Sequence, residues 1–386
     1  MVTGHLSALR KSLDDIDAVI VSALGERARL SRDIAAAKRE GDAPVRDVDR
    51  ETALLQHRAA YGERVGLDPA FVRRIFREIL EDSVRRQADA MSETSADEAP
   101  LRVAYQGTEG AYGHQAACQH FGVASRPVTL KAYGTFRQML EAVLGGHADR
   151  GILPLENTTA GSVYEAYDLL LRFNLSLVGE EIVDIRHCLV GVADVPLESL
   201  RQIHSHPQAL SQCGEFLSRL PSCEQVPAAN TALGAERVKE LQDARQAAIA
   251  SEEAAAHFGL HVLKRGIADQ PVNYTRFVVV AATPVDSDPR LVSRVSIVLA
   301  TRHEHGALVR CLNVLADEGL NLTKLESRPR PGIPWEYVFY LDVEGHLQEP
   351  RLQAALARLA ERTVFLKVLG CYPARELPRL APTSGL

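Results

Sequence analysis

A chain of 386 residues with 44 Lys and Arg against 50 Asp and Glu carries a formal charge of −6, which argues against a nucleic-acid or membrane-surface role. That length predicts two or three domains, and 46% hydrophobic with 24% charged residues is ordinary for a soluble globular protein. No stretch approaches the ~18 apolar residues of a membrane span, the opening "MVTGHLSALRKSLDD" lacks an apolar signal core, and the six cysteines are scattered without a C-x-x-C pair, which fits a reducing cytosol and no metal site.

From Leu6 to Arg39 there is no Pro and only one Gly, Gly25. Leu9, Leu13, Ile16, Ile20, Ala23, Leu30 and Ile34 form a near-heptad helical stripe whose gap falls at Arg27, and Lys38 follows four after Ile34. Such a helix is ~50 Å long at 1.5 Å per residue. That exceeds the width of a ninety-residue domain, so the pattern predicts an intertwined helical dimer. Gly41, Asp42, Ala43 and Pro44 punctuate the chain before a second helix, on which Asp47, Arg50 and Glu51 are expected to share an inward face. Asp68 and Pro69 open a third helix, whose stripe of Val72, Ile75, Phe76 and Ile79 runs into Ser83 and Gln87. Buried charge costs several kcal/mol unless paired. Seven polar and charged residues aimed inward from three helices therefore predict a pocket for a small polyanion rather than a solvated charge ladder.

"LSALRKSLDDIDAVIVSALGERARLSRDIAAAKREGDAPVRDVDRE" together with "EDSVRRQ" resembles the all-helical chorismate mutase domain. The resemblance implies that Arg27 and Arg10 bind the two carboxylates of chorismate, with Arg10 donated by a second subunit. It puts Lys38 and Gln87 on the ether oxygen and Asp47 and Glu51 on the ring hydroxyl, with Arg50 and Ser83 completing the pocket. The rearrangement to prephenate is pericyclic and needs no acid, base, metal or cofactor. Positioning plus a cation where the breaking C–O bond places negative charge suffices.

Ala88 to Pro100, "ADAMSETSADEAP", has four acids, no Lys or Arg and no aromatic residue, and reads as a flexible linker. Beyond it, short apolar runs alternate with helical patterns: "LRVAYQG", "RGILPLEN", "LSLVGEEI", "QAAIAS" and "RFVVVAA" predict an α/β domain. "VAYQGTEGAYGHQAA", "GILPLENTTAGSVYEAYDLL", "LVGEEIVDIRHCLVG", "IHSHPQALSQCGEFL", "QAAIASEEAA" and "NYTRFVVVA" resemble prephenate dehydratase catalytic domains, which implies two α/β lobes arranged like a periplasmic binding protein, with the site in the cleft between them. Strand-end loops of open α/β sheets are where ligands bind. On that basis "PLENTT" offers Glu156, Asn157 and Thr158, "SHPQALSQC" offers Ser205 and Gln212, and "NYTRF" offers Thr275. For Ser205 and Asn157 the plain alternative is an N-cap, and for Thr275 ordinary strand propensity. The resemblance makes Thr275 the proton donor to the departing hydroxyl of prephenate, and gives substrate binding to Asn157, Ser205, Gln212, Thr231 and Arg276. The chain departs from the family's usual pattern at Thr108 for Pro, Gly113 for Ser and Asn230 for Ser.

"RVSIVLATR", "GALVRCLNVLADEG", "NLTKLESRP", "WEYVFYLDVEG", a helix near Arg351–Ala360 and "VFLKVLGCYP" predict βαββαβ, the ferredoxin-like plan. "GALV" (Gly306, Ala307, Leu308, Val309) and "ESRP" (Glu326, Ser327, Arg328, Pro329) resemble the regulatory ACT domain, which implies phenylalanine bound at the interface of a domain pair. For Arg328 a surface salt bridge is the equal alternative. The predicted organisation is a mutase domain in 1–90, a linker in 91–100, a dehydratase domain in 101–282 and an ACT domain in 283–386, in a cytoplasmic homodimer or dimer of dimers. A prephenate dehydrogenase would need a G-x-G-x-x-G after a strand, and "GTEGAYG" has the wrong spacing. A non-catalytic amino-acid sensor with a helical dimerisation arm is the other alternative, opposed by the polar residues present in both pockets.

Overall fold

The computed structural model describes residues 2–41, 47–92, 99–122, 127–289, 291–330, 332–333 and 336–375. The chain divides into a helical unit within residues 1–97 and a larger unit that contains nearly all of the rest.

The helical unit has α1 (Val2–Gly41), α2 (Val48–Arg64) and α3 (Pro69–Ser92). Without Pro, α1 runs unbroken for 40 residues, longer than its stripe alone predicted. The capping of α2 differs from expectation. Asp42 and Pro44 lie outside the described residues, and the N-cap is Asp47, whose side chain accepts from the N–H of Arg50. Asp68 caps α3 by accepting from the N–H of Ala70 at 3.0 Å, as its place before Pro69 predicts. The helix continues to Ser92, past Ala88 where the linker was expected, and residues 93–98 are outside the described ones. Ala35, Ala59, Val72 and Leu80 are buried, whereas the α1 stripe is half open: Leu9, Leu13, Ile16, Ile20, Leu30 and Ile34 are each at least 40% exposed.

The larger unit begins with β1 (Leu101–Gln106), α4 (Tyr112–Phe121), β2 (Val128–Tyr133), α5 (Phe136–Leu144), β3 (Arg150–Asn157), β4 (Gly161–Ser162), α6 (Tyr164–Arg172) and β5 (Ser176–Asp184). The chain then crosses to a second lobe of β6 (Cys188–Gly191), β7 (Gln202–Ser205), α7 (Pro207–Gln212), α8 (Gly214–Ser218), β8 (Glu224–Pro227), α9 (Thr231–Leu241), β9 (Gln246–Ala250), α10 (Glu252–Phe258) and β10 (His261–Arg265). It returns to the first lobe as β11 (Tyr274–Ala281). The first sheet is ordered β2-β1-β3-β11-β5 with β4 on β3, and the second β10-β6-β9-β7-β8. The fully apolar "FVVVA" explains why the returning strand occupies a central position, buried on both faces. At the two crossings Ile185 N–H donates to Asn273 O at 2.7 Å and Ile267 N–H to His187 O at 3.2 Å, so the connections between lobes run side by side.

The C-terminal part is β12 (Ser293–Thr301), α11 (Ala307–Asp317), β13 (Leu322–Pro329), β14 (Tyr337–Glu344), α12 (Pro350–Arg362) and β15 (Thr363–Pro373), in an antiparallel sheet ordered β13-β14-β12-β15. One face of this sheet buries Val295, Ile297, Leu341 and Val343 with Val314, Leu315 and Leu359 from its two helices. The other face, Val298, Ala300, Val338, Tyr340 and Leu369, joins the core of the first lobe around Tyr167, Leu170 and Leu177. Gly370 marks a close approach: any Cβ there would lie 2.0 Å from Leu177 O.

Candidate functional sites

In the helical unit, Arg27 on α1 donates to Ile79 O at 3.1 Å and to the Ser83 hydroxyl on α3. Ser83 and, one turn on, Gln87 are buried, and the Gln87 Oε1 has no partner among the described residues. Burial lowers the pKa of Arg27, with Asp82 opposing and Arg58 adding to the shift. Lys38 is lowered by burial and then by Arg50, against the pull of Asp47 and Glu51. Arg27 is thus paired with Ser83 between α1 and α3, and Lys38 lies within the electrostatic influence of Arg50, Asp47 and Glu51. Asp47 and Arg50 are exposed rather than inward-facing, and one oxygen of Asp47 is occupied by its own helix cap. Arg10 is exposed, seventeen residues before Arg27 on one continuous helix, or ~25 Å away. One chain cannot put both guanidinium groups on one small ligand.

The two lobes of the larger unit enclose a cleft of about 370 Å³. Thr275, Phe277 and Pro154 line it from the central strands, and Asn157 from the end of β3. Strand alternation puts Thr275 and Phe277 on the cleft side and Arg276 on the other. A register shift on β3, where Arg276 pairs with Glu156 but Phe277 with Pro154, adds the local kink that bulges produce beside functional residues. Asn157 Nδ2 donates to Thr275 Oγ1 at 2.9 Å. Gln212, from the second lobe, reaches across to Asn157 Oδ1 at 3.4 Å and to Thr159. Thr231 lines the cleft at the first turn of α9, behind Asn230, whose side chain caps that helix. Asn230 therefore keeps the capping role of the usual Ser, since both side chains accept from a backbone N–H. Gly113 lies against Gln106 O, which a Cβ would approach to 2.8 Å, so the usual Ser would need a shift of α4.

Four expected binding residues lie elsewhere. Ser205 is fully buried and donates to Ile249 O at 2.7 Å. Thr158 accepts from Tyr274 N–H at 2.9 Å. Arg276 and Glu156 point behind the sheet, which alternation dictates once Thr275 faces forward. There the guanidinium of Arg276 bonds Glu180 at 2.7 Å, Glu156 at 3.0 Å, Asp342 at 2.6 Å and the Tyr372 hydroxyl at 3.0 Å. Burial alone would pull the Arg276 pKa down, but Tyr372, Asp342, Glu180 and Glu156 outweigh it and hold the group charged. Arg294 meets the same Glu180, and Lys324 the same Glu156, so cations and carboxylates alternate behind the sheet. Burial would raise the Glu156 pKa, but Lys324 and Arg276 bring it below the usual range.

With Arg276 behind the sheet, the cleft lining has no Lys, Arg, Asp or Glu among the described residues. Instead the first turns of α4 (Tyr112, Gly113), α7 (Gln208) and α9 (Thr231) border it, with Ser162 and Val163 just before α6. Helix N-termini carry partial positive charge, an environment for an anion, although His206 takes the N–H of Gln208 and Asn230 that of Leu233. Sequence reasoning missed His187, His206 and Tyr112, all in the lining. His187 sits in the first crossing, and a lone histidine in "DIRHCL" carries no periodic signal.

In the C-terminal part, β13 alternates. Lys324, Glu326 and Arg328 face the first lobe and meet Glu156, Ser162 and Asp168, while Leu325, Ser327 and Pro329 are exposed. Arg328 also stacks 4.3 Å over the Tyr164 ring. Gly306, in the left-handed region at φ 69°, caps α11, whose first turn is Ala307, Leu308 and Val309.

Residues 9–88 match the family described as chorismate mutase type II and residues 103–285 the family described as prephenate dehydratase. A bifunctional chorismate mutase/prephenate dehydratase of Enterobacter agglomerans is 36% identical over 98% of both chains. The chain belongs to the bifunctional chorismate mutase/prephenate dehydratase family. Among solved structures, an Arthrobacter aurescens prephenate dehydratase in complex with L-Phe is 30% identical, with a TM-score of 0.64 over 73% of this chain and 94% of that one. GqqA, described as a novel type of quorum-quenching acylase, is 34% identical, with a TM-score of 0.64 over 71% of this chain and 98% of that one. No helix among the described residues is long and apolar enough to cross a membrane.

Proposed function

We propose that the chain converts chorismate to prephenate on its helical unit and prephenate to phenylpyruvate in the two-lobed cleft, under feedback by phenylalanine. The observation that carries the dehydratase reading is the Thr275 hydroxyl, which accepts from Asn157 inside an uncharged cleft bordered by helix N-termini. Prephenate is a dianion that loses its charges unequally: the ring carboxylate leaves as CO2 and the side-chain carboxylate stays. A side-chain cation on the departing carboxylate would stabilise the ground state and oppose its loss. Backbone N–H groups hold an anion with partial charge only. As the C–C bond to CO2 breaks, its electron pair enters the ring and the C–O bond to the hydroxyl breaks. The hydroxide leaves as water with the proton of Thr275, which solvent restores. A threonine is a weak acid, but aromatisation drives the step, so modest acid assistance suffices.

For the mutase, Arg27 and Gln87 at one end and Lys38 with Glu51, Asp47 and Arg50 at the other would bracket the folded substrate, and Arg10 would come from a second copy. The ~25 Å between Arg10 and Arg27 and the half-open α1 stripe both support a homodimer of helical units.

The C-terminal part has the ferredoxin-like strand order, and we assign it as an ACT domain with phenylalanine near Gly306–Val309 and Glu326–Pro329. Its Lys324 and Glu326 hold Glu156 and Ser162, neighbours of the catalytic pair and of the cleft wall. A ligand that moves β13 would therefore bias the cleft between two states. An acylase reading lacks a nucleophile: among the described residues Ser162 donates to Glu326 and Ser205 to a backbone carbonyl, neither to a histidine. The test is to incubate the protein with chorismate, and separately with prephenate, and follow phenylpyruvate with and without phenylalanine. Absence of phenylpyruvate from prephenate would refute the cleft reading.

A further inference from the structure

The amide of Asn157 has a fixed direction. Its Oδ1 accepts from the backbone N–H groups of Thr159 at 3.0 Å and Ala160 at 2.7 Å, so Nδ2 is the atom that faces Thr275 at 2.9 Å, and its two protons are shared with Asn273 Oδ1 at 2.7 Å and Tyr274 O at 3.1 Å. The same logic orients Gln212. Its Nε2 faces Thr159 Oγ1 and Asn157 Oδ1, so its Oε1 faces His187 Nε2 at 2.9 Å and Asn273 Nδ2 at 3.3 Å. An amide oxygen only accepts, so His187 carries its proton on Nε2, which leaves Nδ1 as an acceptor 3.2 Å from a Tyr112 hydroxyl that also donates to Arg186 O at 3.2 Å. The links join head to tail. His187 donates to Gln212, Gln212 to Thr159, Thr159 to Asn157 at 2.8 Å, and Asn157 to Thr275. Thr275 is the end of the series: its oxygen accepts, and no described residue accepts from its O–H.

We propose that His187 and Thr159 are positioning residues of the dehydratase site, holding a one-way chain of hydrogen bonds that fixes Thr275 as a donor toward the substrate. The inference rests on the dehydratase reading given above. The chain starts at the crossing between lobes, passes to α7 of the second lobe and returns at Gln212 to the first, so it is complete only when the lobes are apposed. Hydrogen bonds running one way polarise one another, and a hydroxyl that accepts a good bond donates a stronger one. A threonine is a poor acid, and this arrangement improves it without placing a charge in the cleft. Burial keeps His187 neutral by lowering its pKa, which the Nδ1 acceptor role requires.

The test uses the full-length protein with prephenate as substrate. Glutamine places its amide nitrogen where imidazole Nε2 lies, and asparagine reaches only the Nδ1 position. His187→Asn should lower kcat by about tenfold or more with KM changed less than about threefold, and His187→Gln should recover most of it. Thr159→Val should behave as His187→Asn, and Thr159→Ser as wild type. Thr159 is exposed, so its variants stay folded even if those at buried His187 do not, and a cooperative thermal transition checks this. Equal kcat in the Asn and Gln variants, or Thr159→Val within about twofold of wild type, or losses confined to KM, would overturn the proposal. A wild-type protein that makes no phenylpyruvate from prephenate would instead overturn the underlying reading.

Discussion

The helical site and the cleft are proposed to hold related dianions by opposite means. The helical unit offers side-chain cations, Arg27 and Lys38. The cleft offers helix N-termini and neutral hydrogen-bonding groups, and one chain closes it from both sides. The chemistry explains the difference. The mutase keeps both carboxylates and develops negative charge on an ether oxygen, where a full cation stabilises the transition state more than the ground state. The dehydratase expels one carboxylate, so a full cation beside that group would be counterproductive. Charge near the cleft is placed behind the sheet, where it holds the C-terminal part.

The largest expected break in this symmetry is at Lys38. Lys38→Ala should lower mutase turnover by at least about a hundredfold, the scale of losing one preorganised donor of ~3 kcal/mol, while phenylpyruvate formation from supplied prephenate is unchanged. A parallel fall of both activities would show that the sites are not separate. Thr275→Val is the complement. It keeps the shape and removes the hydroxyl, and should cut dehydratase kcat by roughly a hundredfold with mutase turnover intact. Near-normal turnover would return Thr275 to an ordinary strand residue.

A smaller effect is expected behind the sheet. Lys324→Met removes one of the two cationic partners of Glu156, leaving Arg276, without touching the cleft. Calorimetric titration of phenylalanine beside dehydratase assays should show inhibition weakened about fivefold or more, a coupling loss of ~1 kcal/mol, with uninhibited turnover changed less. Ser327→Ala with Arg328→Ala should do the same, because Arg328 holds Asp168. Unchanged inhibition in both would remove β13 from the regulatory path.

Much of this was legible in the sequence, and the misses have physical causes. The long stripe of α1, the Asp68-Pro69 start of α3 and the alternation of strands and helices follow from local chemistry and were read as such. Thr275 stands in a motif, but alternation along "NYTRF" sends its side chain and that of Arg276 to opposite faces, so the motif's two polar residues do not share the cleft. Asp47 was placed inside a helix because Asp42 and Pro44 looked like its start, whereas a carboxylate three residues before Arg50 is itself a cap signal. Ser205 was read as a ligand because a serine at a strand end fits either role, and only tertiary packing shows it buried. His187 was unreadable, since its importance lies in partners 25 and 75 residues away.

The smallest expected effect is one of pH, and it separates the two sites by sign. Burial first, and then Arg50, lower the pKa of Lys38 below the usual lysine value of 10.5, and Asp47 and Glu51 only partly oppose them. The mutase needs the ammonium, so raising pH through that lowered value removes activity earlier than a solvent-exposed lysine would. The cleft has no lysine in its described lining, so the dehydratase should lack this alkaline limb. Its sensitive group is His187, needed neutral. Burial lowers its pKa from 6.5, so acid must go further than usual before the ring takes a second proton and Nδ1 can no longer accept. Mutase kcat should therefore fall on the alkaline side below pH 10.5, while dehydratase kcat should hold through pH 6.5 on the acid side. Profiles of both activities on one preparation check this. A dehydratase limb centred at 6.5 or above would mean that His187 is not shielded as the buried chain requires.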